Sequence, residues 1–241
     1  MRAAFIVLAA LLAAPGAGAE IRSPDECAAA VAADPATARE DAAVWLRLGG
    51  GVPARLCEAS ALAALGAHQT AAELLSAVGT NPNRAMPANA RAVILADAAR
   101  QWLAADRPDL ARQALADADK LTEPDGDRRL LLARAAAAQG DWPAAQAALE
   151  AEIAAVPDDA VAHALLAATL RNRDDATGAL AEANRALVLS PDLPEALFEA
   201  GAASAESGDK AAAARAWLRL LDVAPQSDLA PLARANLQRL E

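Results

Sequence analysis

Three landmarks recur every 34 residues through the second half of the chain: the prolines Pro157, Pro191 and Pro225, the alanines Ala145, Ala179 and Ala213, and the turns Gln139-Gly140-Asp141, Arg173-Asp174-Asp175 and Ser207-Gly208-Asp209. A fixed period of this length means one supersecondary unit copied in tandem, each copy covering the apolar face that its neighbour leaves open. Each unit reads as helix, tight turn, helix, and then a proline, which has no backbone N–H with which to continue the second helix. Such a constraint leaves little besides a stacked, all-α array.

Composition agrees. Hydrophobic residues make up 55% of the 241-residue chain but aromatic ones only 2%, and alanine dominates. Alanine is the best helix former and lets helices approach closely, so the cores should be thin and wholly helical. Apolar residues recur at spacings of three and four, one buried face per helix. The first full unit pairs Leu95, Ala98, Ala99 and Trp102 with Ala111, Leu115 and Ala118, and its closing proline, Pro124, comes one residue late. The second pairs Leu132, Ala133 and Ala136 with Ala145 and Leu149. The third pairs His163, Leu166, Ala167 and Leu170 with Ala179, Ala183 and Ala186, and the fourth Leu197, Ala200, Gly201 and Ser204 with Ala213, Trp217 and Leu220.

The N-terminal part departs from the period. Arg2 is followed by an apolar run too short to anchor in a bilayer, then Pro15, Gly16 and the small residues Ala17-Gly18-Ala19. Residues 1–19 are therefore expected to be a signal peptide cut before Glu20, and the protein periplasmic or secreted. Helices are expected at about 24–33, 36–48, 53–66 and 69–78, opened by the caps Ser23 and Asp34 and interrupted by Gly49-Gly50-Gly51. Residues 20–83 read as a helical cap with one degenerate repeat, 84–225 as four full repeats, and 226–241 as a solvating helix. That last helix should be capped by Ser227 and Asp228 and carry an apolar stripe of Leu229, Leu232, Ala233, Leu237 and Leu240. In an exported chain the only two cysteines, Cys27 and Cys57, are expected to form a disulfide contributing about 3–4 kcal/mol. Two buried reduced thiols, or a redox or metal site, are the alternatives.

The period and order of landmarks resemble the tetratricopeptide repeat (TPR), a two-helix unit with a small residue early in its second helix and a closing proline. The resemblance covers about two thirds of the chain beyond the expected signal peptide and departs from the pattern in places. Arg129 stands where the family has a large apolar residue, Glu152 where it has a small one, and its first-helix glycine survives only as Gly201. These departures predict looser packing in the second unit. By the same resemblance, a concave groove lined by first helices should hold a peptide, and its columns fall on Arg100, Leu103, Leu130, Arg134, Arg171, Asn172 and Phe198. Arg100, Arg134 and Arg171 are expected to form a row about 10 Å apart, open to an acidic or C-terminal segment, unless Asp97, Asp127 or Asp174 pairs with them. The family's lysine and asparagine clamp is not reproduced.

The charge balance sets the partner class. Without Arg2 the chain holds 21 basic against 32 acidic residues, a net charge of −11, which repels nucleic acid and anionic membranes. No membrane span beyond the signal peptide, no catalytic, phosphate-binding or metal motif, and no cofactor is expected. Of the two histidines, His68 falls in a turn and His163 in a packing column. Nothing in the sequence sets an oligomeric state. The expectation is a non-catalytic periplasmic scaffold for a protein or peptide client. The alternative is a dedicated accessory subunit of an envelope machine for cytochrome maturation, polysaccharide export or cell-wall turnover.

Overall fold

The structure is a computed structural model that describes residues 21–82 and 86–240. The expected signal peptide and its cut before Glu20 lie outside the described residues, as does the junction at 83–85. The described chain is helical throughout: α1 Pro24–Ala33, α2 Pro35–Trp45, α3 Gly51–Ala64, α4 His68–Thr80, α5 Ala88–Ala104, α6 Pro108–Asp119, α7 Gly126–Ala138, α8 Trp142–Ala155, α9 Ala160–Arg171, α10 Ala176–Leu189, α11 Pro194–Glu206, α12 Lys210–Val223 and α13 Ala230–Leu240. It divides into two compact units at Leu74/Leu75, inside α4.

In the first unit the expected caps form. The Ser23 hydroxyl accepts from the Glu26 N–H, and the Asp34 carboxylate from the N–H groups of Ala36 and Thr37. A wide turn over Leu46–Gly50 follows α2, with Gly49 at φ 95° and Gly51 at φ 58°, a backbone that only glycine adopts freely. Cys27 of α1 and Cys57 of α3 are joined by a disulfide, Cα atoms 5.8 Å apart, in a small core with Ile21, Ala38, Ala42 and Ala61. His68 opens α4 rather than sitting in the turn before it.

In the second unit the period becomes geometry. Asp106, Gly140, Asp174 and Gly208, each 34 residues after the last, are all left-handed, with φ between 56° and 86°. Each closes a first helix by the same pair of bonds, as where Gly140 N–H donates to Ala137 and Asp141 N–H to Ala136. The next residue in three of these turns, Asp141, Asp175 and Asp209, then caps the second helix through its side chain. Val156, Ser190 and Ala224 end those helices, each followed at once by the periodic proline. Leu115 and Leu149, 34 residues apart, are fully buried, and Ala183 fills the same place in the third repeat.

Two departures alter the packing. Gly201 is buried because the indole of Trp217 lies across it: a Cβ there would fall 2.3 Å from Nε1, which donates to the Phe198 carbonyl at 3.1 Å. In the second repeat, instead of the expected looseness, Arg129 donates to Glu152 at 2.9 Å. Glu152 is 2% exposed, and Gly126 lies so close that a Cβ would meet its carboxylate at 2.6 Å. The two anomalous residues are partners. At the C-terminal end, Leu229, Leu237 and Leu240 of the expected stripe pack on the core around Trp217 and Leu220, with Ala233 buried. Leu232 does not: it is 52% exposed. The Ser227 hydroxyl, expected to cap this helix, donates back to the Ala224 carbonyl at 2.9 Å.

Candidate protein-interaction face

Four first helices, α5, α7, α9 and α11, pack successively on one another as well as on their own second helices. These first helices carry Val93, 58% exposed, and the half-buried Leu103, Leu130 and Phe198. Near the C-terminal end of the run lies a cavity of about 320 Å³ whose walls include Phe198, Ala202, Trp217, Leu240, Arg171 and Arg239.

The arginines of these helices do not form the open row that their spacing predicts. Arg100 donates two parallel bonds from Nη2 to Asp127, at 3.0 and 2.8 Å, and bonds Asp97 through Nη1. Arg171 donates from Nε to Glu199 at 2.7 Å and lies 3.5 Å from Glu206. Glu199 is buried; its desolvation raises the carboxyl above the usual range, against the pull of Arg171. The Arg100–Asp127 and Arg171–Glu199 pairs each tie one first helix to the next. Asp97 and Asp127 thus take the pairing role expected of them, whereas Asp174 is the left-handed turn residue and pairs with no arginine among the described residues. Asn172 turns back on its own helix, donating to the Ala168 carbonyl at 2.8 Å.

Arg134 alone of the three is exposed without an ion pair among the described residues. The cause is readable in the repeat. The residue 34 positions after Asp127, where the partner of Arg134 would stand, is Val161.

Of two buried polar residues, Arg128 was not legible as such, whereas His163 was. Arg128, only 3% exposed, donates to Asp119, to the Thr122 hydroxyl and carbonyl, and to the Glu123 carbonyl. It thereby fastens the loop between α6 and α7. The one signal for it is the late Pro124: α6 stops at Asp119, and the longer loop that results leaves carbonyls needing donors. His163 is buried, its Nε2 donating to the Pro157 carbonyl at 3.0 Å and its Nδ1 2.6 Å from Glu182. It pins the proline turn to α10, as a packing histidine does. Among the described residues no group of three or more histidine, cysteine or acidic side chains is placed to hold a metal ion, and no helix is long and apolar enough to cross a membrane.

Helix pairs closed by a left-handed turn, stacked through their first helices and finished by one further helix, define a TPR solenoid. Solved structures of the same fold agree. MamA superposes with a TM-score of 0.57 at 17% identity, covering 70% of this chain and 95% of MamA. YrrB, a TPR protein with an unusual peptide-binding site, gives 0.55 at 17%, covering 76% and 91%. TTC0263, a thermophilic TPR protein of Thermus thermophilus, gives 0.59 at 21%, covering 77% and 96%. No protein-family model and no curated protein matches the sequence.

Proposed function

We propose that the protein is a non-catalytic, periplasmic interaction scaffold that holds a segment of a client protein in the concave groove of its TPR array. The observation that carries this reading is the run of first helices bearing the exposed Val93 and the half-buried Leu103, Leu130 and Phe198, with a cavity at Phe198. Apolar surface kept open in a strongly acidic chain favours a partner, since a face with no partner is ordinarily made polar. YrrB, with its peptide-binding site, has the same fold. The disulfide supports an oxidising compartment, and the apolar N-terminal run supports export.

A photoreactive residue placed at Leu130 should crosslink a discrete protein in cells, while one at the exposed Leu218 of α12 should not. The reverse result would move the interface to the second helices. One stoichiometric adduct would favour the accessory-subunit alternative, and several unlinked adducts the adaptor.

A further inference from the structure

The ion pairs between first helices form a ladder with one incomplete rung. Between α5 and α7 the guanidinium of Arg100 is held in a two-bond fork by Asp127. Between α9 and α11 Arg171 is held by Glu199. Between α7 and α9 Arg134 occupies the place of Arg100, and Val161 the place of Asp127. A guanidinium on this face therefore remains for a carboxylate brought from outside, and the Arg100–Asp127 fork shows the geometry such a carboxylate would take.

The cavity beside α11 has a different appetite. Of its charged wall residues, Arg171 and Glu206 are paired with each other, Arg171 also being bound to Glu199, while Arg239 bonds Asn236; the Trp217 N–H is used by the Phe198 carbonyl. Between these polar groups the walls offer a guest the apolar surface of the half-buried Phe198 and Leu240. At about 320 Å³ the cavity is at the small end of ligand pockets, suited to one large side chain.

We propose that the client segment is an extended peptide that sets a carboxylate against Arg134 and a large apolar side chain in this cavity. The proposal rests on the interaction reading above and specifies its recognition rule. From α7 to α11 is two steps of packed helices, about 20 Å. An extended chain rises about 3.3 Å per residue, so the two anchors should lie about six residues apart.

Fluorescein-labelled synthetic peptides with one glutamate and one phenylalanine in a Gly/Ser background, separated by two to ten residues, test this by anisotropy with the disulfide-intact protein. A parallel set replaces the glutamate by the peptide's own C-terminal carboxylate, free or amidated, to distinguish the two sources of the anion. Affinity should be highest at a separation of about six, fall about tenfold on Glu→Gln or Phe→Ser in the peptide, and fall similarly in Arg134→Glu. Arg185→Glu on α10, exposed but off this face, should leave binding unchanged. An Ala205→Trp protein, which fills the cavity wall, should lose the dependence on phenylalanine; if that variant does not fold, the peptide substitution gives the same answer. Binding indifferent to spacing, or undiminished in Arg134→Glu, overturns the proposal. So does failure of every peptide to bind. If Leu130 still crosslinks a protein in cells in either case, only the recognition rule falls and the interaction face stands.

Discussion

At Asp174 the repeat asks of an aspartate what it elsewhere asks of glycine. Its φ of 64° equals in kind those of Gly140 and Gly208, yet a Cβ makes the left-handed region unfavourable. Gly140→Ala should therefore destabilise the fold by about 1 kcal/mol, while Asp174→Gly should leave it unchanged or slightly more stable. Paired urea melts check both, and equal losses at the two sites would refute the account. Gly201 is a glycine for another reason, its contact with Trp217 at 2.3 Å for a built Cβ. Gly201→Ala must displace the indole from the Phe198 carbonyl and should cost about 1–3 kcal/mol, with a blue or red shift of tryptophan emission marking the moved ring. The turn glycines and Gly201 were all legible, because a repeat shows which positions stay small. The cause at Gly201 was not, since it depends on a side chain from the following helix crossing over it.

At the scale of the element, the second repeat contains the clearest lesson. Arg129 and Glu152 each break the pattern of their own helix, and read singly each predicts a defect. Folded, α7 and α8 bring them to 2.9 Å, with the carboxylate buried. Arg129→Ala leaves that carboxylate without its partner and should cost about 3 kcal/mol, whereas Arg129→Leu with Glu152→Ala, which restores the repeat pattern, should recover most of the loss. Additive losses in the double variant would show that the two do not act as a pair. Helix starts are more predictable because caps are local. Asp141 caps α8 through the Ala144 N–H, and its carboxyl is held below the usual range first by Arg112 and then by that cap. A depressed folded value means that the contribution is present above the unfolded value and is lost as pH falls through the folded one, below about pH 4. Asp141→Asn should accordingly melt below the wild type at pH 7, and the gap should narrow as pH falls below about 4. A gap independent of pH would mean that the amide loses the cap geometry, not the charge. The pairing of Arg112 with Asp141, like that of Arg100 with Asp127, joins residues 27 or 29 positions apart on neighbouring repeats. Such pairs are invisible to a reading confined to one helix face, which is why the predicted row of open arginines shrank to Arg134.

At the scale of the whole molecule, the stack was legible because each repeat meets only its neighbours, so local spacing of apolar residues determines nearly everything about the array. The N-terminal unit lacks that redundancy. Its helices are short, its core around Ala38 and Ala42 is small, and its period is broken, so the covalent link between α1 and α3 is asked to do what repetition does elsewhere. Closing this loop of chain removes freedom from the unfolded state worth about 3 kcal/mol, and removing it should expose α1 first. Nearest-neighbour coupling further predicts that the loss stays local. In hydrogen exchange followed by mass spectrometry, Cys27→Ser with Cys57→Ser should raise exchange through residues 21–64, while peptides from α7 to α12 keep wild-type protection. Protein isolated from the periplasmic fraction should begin at Glu20 and weigh two hydrogens less than the reduced chain, and the same chain made without residues 1–19 in a reducing cytosol should resemble the serine variant. A loss of protection reaching α12 would mean that the array depends on its N-terminal unit for stability throughout, and two freely alkylated thiols in the periplasmic protein would remove the staple from the account altogether.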